Sequence, residues 1–229
     1  MRSRVRGFLR MACLAALAAT AGGCTQGLAW LTAQWTPPKK IEALYEPPKG
    51  KTILVFVDDR PNVSYAPIKS ILADKINRKL KDAEVARDTV NPDRVQDLST
   101  RREFPQMAIS EVGRKLDADL VLYVQIEAFA LHDSPDSLPS KWQGKLVTSI
   151  RMIDAREQVK LWPKGVPRDT GYRVPPLLFE PTENPSPLYG QAIADALAEQ
   201  MADRIVNCFH THYDKPDPHH DRGKRLEMN

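Results

Sequence analysis

The sequence has 229 residues, of which 42% are hydrophobic and 27% charged, and this composition predicts one globular domain with appendages. The formal net charge is +4, but Met1–Arg10 contains four arginines and no acid. Without this segment, 29 of the 33 basic residues remain, against 29 acidic ones. The folded part then has no basic surplus, which argues against a nucleic-acid-binding protein.

Residues 1–23 are typical of a bacterial export signal. The small, apolar run Met11–Ala21 is about half the roughly 20 residues needed to span a membrane. Ala21-Gly22-Gly23-Cys24 then resembles the lipobox of bacterial lipoproteins, although Leu is commonest where Ala21 stands. The resemblance implies cleavage before Cys24, lipid attachment to Cys24 and a membrane anchor. The alternative is an ordinary secretory signal cut near residues 18–21, with Cys24 incidental.

The cysteines fit an envelope location. Cys13 leaves with the signal and Cys24 carries lipid, so Cys208 has no partner for an intramolecular disulfide and is expected in a buried helix face. Thr25, rather than Asp, follows Cys24, which by analogy with enteric lipoproteins favours the outer membrane. The expected location is therefore the periplasmic face of the outer membrane, by a lipid anchor.

Residues 24–50 predict a proline-rich membrane tether. Pro37-Pro38 and Pro47-Pro48 favour the extended polyproline conformation, at about 3.1 Å per residue. Trp30 and Trp35 could lie at the membrane interface or pack onto the folded domain, and the sequence supports both equally.

Residues 51–209 predict one α/β domain that begins with a strand and a helix. Thr52–Val57 is a short apolar strand, and Pro67 begins a helix with apolar residues at helical spacing. The turn Asp58-Asp59-Arg60 lies between them, where two acids could bind a cation and Arg60 could contact a partner. The alternative is a solvated turn in which Asp side chains cap backbone N–H groups.

The next segment contains weaker signals. Ala83–Val90 could hold a short strand, and Asn91–Arg102 predicts no more than one helical turn. A helix follows from Pro105, with the apolar stripe Ile109, Val112 and Leu116. Gly113 weakens this helix by about 1 kcal/mol relative to Ala.

Asp119–Leu131 is the longest apolar strand pattern, and we expect it at the centre of the sheet. Leu120–Val124 is apolar on both faces, as in a strand covered on two sides. Beyond it, Ile126 and Ala128 are expected to point one way, and Gln125 and Glu127 the other.

The following residues predict a hairpin. His132–Lys141 predicts a loop, and Trp142–Asp154 with Gln158–Trp162 predicts two paired strands. Trp142 and Trp162 are candidate partner contacts that could meet across the hairpin. They would act as a packed cross-strand pair or, if exposed, as a binding hot spot.

The last part of the chain predicts a loop, a helix and a tail. Pro175–Pro187 predicts an irregular loop, and Ser186-Pro187 begins the longest helix, Leu188–Phe209. Residues 210–229 predict a disordered polar tail. The tail contains four histidines that could hold zinc or copper: His210, His212, His219 and His220. The prolines of the tail argue against a fixed site, so no metal or cofactor is expected.

The predicted order β-α-β-α-β-β-β-α gives a single layered domain with a mixed sheet and helices packed on it. Three segments resemble bacterial envelope proteins that include the curli-secretion lipoprotein CsgG, the penicillin-binding-protein activator LpoB and the amino-terminal domain of TolB. These segments are Thr52–Leu80, Leu116–Tyr123 and the hairpin Ile150–Trp162, within residues 50–207. Two departures are Ala155-Arg156-Glu157 in place of the usual turn glycine, and the interruptions at Pro163 and Pro167.

The resemblance implies non-enzymatic protein binding in the periplasm. Catalytic motifs such as Gly-x-Ser-x-Gly, a phosphate-binding glycine loop or His-Glu-x-x-His are absent from the sequence. We therefore expect a lipid-anchored scaffold that binds an envelope protein at the edge near Gln158–Trp162 or through the loop Lys164–Pro187. The alternatives are a carrier or assembly factor for an envelope lipid or polysaccharide, and a hydrolase with an unusual site. The oligomeric state is not predicted.

Overall fold

The structure is a computed structural model that describes residues 39–59, 67–134, 141–179 and 189–213. Glu42–His212 form one unit, the α/β domain, and residues 1–41 with 213–229 form a second. Of the second unit the structure describes residues 39–41 and 213, which include strand β1 (Lys40–Ile41). Among the described residues, no helix is both long enough and apolar enough to cross a membrane.

A mixed sheet forms the centre of the domain. Its middle strands, β2 (Thr52–Asp59) and β4 (Leu120–Ser134), are parallel, and β3 (Asp88–Thr89) lies parallel on the other side of β2. β5 (Lys141–Asp154) pairs antiparallel with β4. The remaining strands of the sheet pair antiparallel with β5: β6 (Lys160–Trp162), β7 (Tyr172–Arg173) and β8 (Leu177–Phe179).

Four α-helices in the described residues cover the two faces of this sheet: α1 (Ile68–Asp82), α2 (Pro92–Ser99), α3 (Ile109–Lys115) and α4 (Tyr189–Asn207). α1 and α4 pack on one face around the larger core, to which Leu122 and Met201 belong. α2 and α3 pack on the other face around a smaller core that includes Leu54 and Val121. The α/β class with a mixed sheet is therefore confirmed. β9 (His212–Tyr213) follows α4 in the chain.

The start of β4 is held by a single aspartate. The Thr52 backbone N–H donates a hydrogen bond to Asp119 Oδ2 at 3.0 Å, and the Asp119 carbonyl accepts one from the Ala155 backbone N–H at 3.0 Å. The hydrogen bond from Thr52 lowers the pKa of the Asp119 carboxyl. One residue thus ties β2, β4 and the turn after β5 together.

The expected alternation along the second half of β4 is wrong after Ile126. A β-bulge separates the pairs Ile126–Thr148 and Ala128–Val147, so one residue of β4 has no counterpart on β5. As a result Phe129, rather than Ala128, joins Ile126 in the larger core.

Three local predictions also need correction. Asn91–Arg102 contains the two-turn helix α2, because the Asn91 side chain accepts a hydrogen bond from the Asp93 N–H and Pro92 begins the helix. The predicted loop His132–Lys141 is shorter, since β4 extends to Ser134 and β5 begins at Lys141. The predicted irregular segment Pro175–Pro187 contains strand β8.

Candidate functional site: a loop on the sheet edge

The outer neighbour of β5 is one strand interrupted by a loop. Trp162, the last residue of β6, pairs with Met152, and Tyr172, the first residue of β7, pairs with Ile150. Met152 and Ile150 are only two positions apart on β5, whereas nine residues, 163–171, separate β6 from β7 in the chain. We call residues 163–171 the edge loop. Its two ends are close together, as in Ω-loops, which often carry function.

Aromatic rings close the base of the edge loop. The Trp162 and Tyr172 ring centres lie 5.1 Å apart, and Trp162 also contacts Tyr45 at 6.3 Å and Phe209 at 5.7 Å. The Tyr45 backbone N–H donates a hydrogen bond to the Cys208 carbonyl at 3.0 Å, which fixes this ring against the end of α4. Trp162 is 8% exposed, so it packs among these rings and a partner could reach little of its side chain.

One lysine organises the inside of the loop. Lys160 Nζ donates hydrogen bonds to the carbonyl oxygens of Val166 at 2.9 Å, Pro167 at 2.5 Å and Thr170 at 3.2 Å. An ammonium group has three donors, so these carbonyls use all of them. The charge of Lys160 thereby holds the loop backbone in one conformation.

A buried arginine anchors the other side of the loop. Arg151 Nη1 donates to the Arg168 carbonyl at 3.3 Å and lies 3.6 Å from the Asp169 carboxylate. The Arg151 guanidinium also stacks over the Tyr123 ring, 4.4 Å from its centre. Tyr123 donates its hydroxyl to Asp58 Oδ2 at 2.9 Å, and burial with this bond raises the pKa of Tyr123 to about 12. Tyr123 is therefore a neutral donor at physiological pH, and the cluster acts as an anchor.

The return of the loop to the sheet needs a glycine. A Cβ atom on Gly171 would lie 3.0 Å from the Ile150 carbonyl oxygen and 3.2 Å from the Ile150 nitrogen. A side chain here would crowd the backbone of β5, so glycine suits this close approach.

The outer surface of the loop is open to solvent. Every residue from Lys164 to Thr170 is exposed, and Val166 is 40% exposed. Val159, which precedes β6, is 48% exposed. Lys164 and Asp169 are also exposed and carry charges of opposite sign, and the Asp169 carboxylate faces Arg151. The result is a held backbone that presents a small mixed surface.

The predicted site residues do not come together in the described structure. Trp142 pairs with Asp133 and Trp162 with Met152, which places their backbones about 33 Å apart along β5, so the two residues do not meet across the hairpin. Arg60 and Cys24 lie outside the described residues. Asp58 belongs to β2 and accepts the Tyr123 hydrogen bond. Among the described residues, no three His, Cys, Asp or Glu side chains are grouped as a metal site would require.

Sequence reasoning missed Lys160 and Arg151 as the residues that hold the loop. Their one signal is a cation within an otherwise alternating or apolar strand pattern, Arg151 in Ile150–Ile153 and Lys160 in Val159–Trp162. That signal does not identify the backbone carbonyls they bind, because these belong to residues that follow in an irregular segment.

Two open clefts lie on the α2–α3 side of the domain. The larger has a volume of about 330 Å³ and the smaller about 240 Å³. The side chains that line the larger cleft are mainly cationic and apolar: Arg94, Asp97, Leu98, Arg101, Lys115 and Leu116. The smaller cleft is lined by Arg114, Asp117, Ala118 and Arg156. Neither set of lining residues contains a Ser, Cys, Thr or His that could serve as nucleophile or proton carrier.

No protein-family profile matches the sequence, and no curated protein is significantly similar to it. Solved structures with a similar chain path include a lipoprotein of Neisseria meningitidis. That protein is 16% identical, with a TM-score of 0.42, over 67% of this chain and 99% of the other.

Two more solved structures give similar values. The PelC dodecamer of Paraburkholderia phytofirmans is 9% identical, with a TM-score of 0.40, over 73% of this chain and 95% of the other. A minor lipoprotein of Acinetobacter baumannii is 9% identical, with a TM-score of 0.35, over 71% and 98%. Bacterial lipoproteins thus occur among the structural neighbours, but these values assign neither a family nor a function. The resemblance to CsgG, LpoB and TolB stays a prediction.

Proposed function

We propose that this chain is a lipid-anchored, non-catalytic module of the bacterial cell envelope that binds a partner protein through the edge loop. Cys24 carries the anchor, the proline-rich tether predicted at residues 24–50 gives reach, and the domain presents the loop. Anchoring to one membrane raises the effective concentration of the module near a partner in the same envelope. Thr25 after Cys24 favours the periplasmic face of the outer membrane.

The observation that carries the proposal is the ordering of the exposed loop by Lys160 and Arg151. A loop that is already held in one conformation loses little conformational entropy on binding, so more of its contact energy becomes affinity. Val159 and Val166 supply apolar contact, and the charges of Lys164 and Asp169 supply orientation and selectivity.

The free edge of the sheet suits a partner strand less well than the loop does. Pro175 and Pro176 lie between β7 and β8, and neither has a backbone N–H to donate to an added strand. Their carbonyl oxygens each accept a hydrogen bond from Arg204 at 3.0 Å. Prolines on an edge strand are a common protection against pairing with another chain. We therefore place the partner on the loop.

The proposal of a non-catalytic role rests on the chemistry of the two clefts. Their lining side chains include the carboxylates of Asp97 and Asp117 but no Ser, Cys, Thr or His, and both clefts open widely to solvent. A lipid carrier needs an apolar cavity, and the described clefts have charged walls.

The proposal is tested by photo-crosslinking in cells with the full lipoprotein. A photoreactive amino acid at Val166 should give one discrete adduct with an envelope protein. The same amino acid at Asp74, an exposed position on α1, is the matched control and should give no such adduct. Cys24→Ala should reduce the yield, because it removes the anchor.

The affinity test uses the partner identified in this way. Val166→Asp should weaken binding by about 30-fold or more if Val166 is a hot spot, while Asp74→Val should leave it unchanged. Equal adducts from both positions, or full binding by Val166→Asp, would contradict the proposal.

A further inference from the structure

The first residues of the domain lie against the end of α4 and beside the edge loop. The backbone N–H groups of Leu44 and Tyr45 both donate to the Cys208 carbonyl oxygen, at 2.9 and 3.0 Å. The Tyr45 ring stacks on the Trp162 indole, with an angle of 20° between the ring planes. We call residues 42–47, which contain these contacts, the strap.

The strap is held by few contacts. Pro47 is its one buried residue, and Leu44 is 54% exposed. Within the described residues, its backbone hydrogen bonds to the rest of the domain are the two that share the Cys208 carbonyl. Gly50 follows with φ of 76°, a conformation that glycine adopts without strain. Segments with few buried contacts open at a small free-energy cost, so the strap can leave its place while the sheet stays folded.

Tyr45 covers an aromatic surface at the base of the edge loop. It contacts Phe209 edge to face at 6.5 Å as well as Trp162, and these two rings lie 5.7 Å from each other. With the strap in place, Trp162 is 8% exposed and Phe209 is 2% exposed. A stacked ring shields the face of the ring on which it lies. Displacement of Tyr45 would therefore expose the face of the Trp162 indole directly beside residue 163, where the edge loop begins.

The seat of the strap defines the kind of ligand that fits there. It combines the face of an indole with the Cys208 carbonyl, which accepts N–H groups from a chain that is not helical. A peptide segment with an aromatic side chain matches both features, because its ring can stack and its backbone can donate. Exposed tryptophan is also enriched among the residues that dominate binding energy at interfaces.

We propose that the strap is an autoinhibitory cover, and that a peptide segment of the partner with an aromatic side chain displaces Tyr45 from Trp162. This inference rests on the proposed partner binding at the edge loop and names how that site is regulated. With the strap seated, a partner meets the loop alone, and with the strap displaced, Trp162 joins the same surface. The strap belongs to the chain and competes at high effective concentration, which lowers the apparent affinity for the partner.

The first test measures how well Tyr45 covers Trp162. Three substitutions in the mature chain leave Trp162 as its single tryptophan: Trp30→Phe, Trp35→Phe and Trp142→Phe. In this background Tyr45→Ala should raise acrylamide quenching of the Trp162 fluorescence at least about threefold, because the indole face opens to solvent. Leu44→Ala is the matched control, since it shortens an exposed side chain of the strap and keeps both N–H donors. Equal quenching in the two variants would overturn the inference.

The second test uses the partner captured by a photoreactive amino acid at Val166. Tyr45→Ala should bind this partner at least about threefold more tightly than the wild type, and Tyr45→Phe, which keeps the ring, should bind like the wild type. If Tyr45 only supported the base of the loop, its loss would weaken binding instead. Unchanged or weaker binding by Tyr45→Ala, with the Val166 adduct intact, would overturn this inference alone. Absence of any adduct at Val166 would overturn the proposed function and this inference with it.

Discussion

Asn77 gives a sharp test of how this domain is stabilised. It lies on α1, is 7% exposed, and neither Nδ2 nor Oδ1 has a hydrogen-bond partner in the described structure. The other buried residues of α1 are apolar: Ile68, Leu72, Ala73, Ile76 and Leu80. A buried amide without partners loses its bonds to water and gains none, which costs about 1–3 kcal/mol in protein mutational data.

Asn77→Leu should therefore stabilise the domain. Leu has the same branching at Cγ as Asn but no polar atoms, so it removes the desolvation cost; its two methyl groups are bulkier than the amide, and the neighbouring side chains must adjust to them. It also gains several tenths of a kcal/mol in helix propensity. We expect the free energy of unfolding to rise by about 1–3 kcal/mol. The melting temperature should rise by roughly 2–12 °C for a domain of this size.

The measurement is urea unfolding, with the gain read from the midpoint at an unchanged slope. Asn91→Leu is the matched control: the Asn91 side chain caps α2 by accepting the Asp93 N–H at 2.9 Å. This control should lose about 1 kcal/mol. A loss of stability in Asn77→Leu as large as that in the control would refute the reasoning, because Asn77 would then be bonded to water or a ligand.

Two further predictions concern helix packing and acid stability. Gly113→Ala should lower the free energy of unfolding by about 1–3 kcal/mol, measured by urea unfolding, despite the better helix propensity of Ala. The reason is that the new Cβ would lie 2.5 Å from Val121 Cγ2. A gain in stability would mean that α3 can move away from β4. The hydrogen bond from Lys79, with a second from Lys75, lowers the pKa of Glu199 to about 2 from its ordinary 4.5, so its contribution is complete above about pH 4.5 and is lost as the pH falls toward 2. Because the Glu199 side chain is 34% exposed, we discount the full contribution to about 1 kcal/mol, and roughly half of it is lost between pH 7 and pH 3. The wild type should therefore lose roughly 0.5 kcal/mol more than Glu199→Gln over this range, and equal losses in the two proteins would contradict the prediction.

The long elements of this fold could be predicted from the sequence because their patterns are local. Leu120–Val124 is apolar on both faces, and the structure places Leu122 in the larger core and Val121 in the smaller one. The two strands of the hairpin, predicted at Trp142–Asp154 and Gln158–Trp162, also occur in the structure as β5 and β6. Each of these predictions depends only on the spacing of apolar residues within one segment.

The bulge in β4 could not be predicted in this way. Whether Ala128 or Phe129 faces the core depends on the register with β5, where Val147 pairs with Ala128. A single extra residue reverses the faces of everything that follows it. The sequence of β4 up to Glu127 fits both arrangements. Only the large apolar side chain of Phe129 indicates that the buried face of the strand changes there.

The turn after β5 explains how the chain manages without the usual glycine. Asp154 Oδ1 accepts hydrogen bonds from the Arg156 and Glu157 backbone N–H groups, both at 2.8 Å, and Gln158 takes the left-handed conformation with φ of 58°. Ala155 is fully buried, and a Cβ on Gly113 would lie 3.0 Å from its Cβ. A small residue at 155 thus lets α3 pack closely, which is a requirement of tertiary contact rather than of turn chemistry.

The candidate binding loop was the hardest part to predict because its order comes from residues outside it. Residues 163–171 have no periodic pattern, and their prolines and glycines alone indicate an irregular segment. Lys160 and Arg151 belong to strands, yet their side chains bind loop carbonyls at Val166 and Arg168. A strand that positions a loop through cations must keep those cations even where an apolar residue would pack better. In this domain, a basic residue inside a strand pattern therefore indicates that the strand binds the backbone of a neighbouring loop, and not only that the position is exposed to solvent.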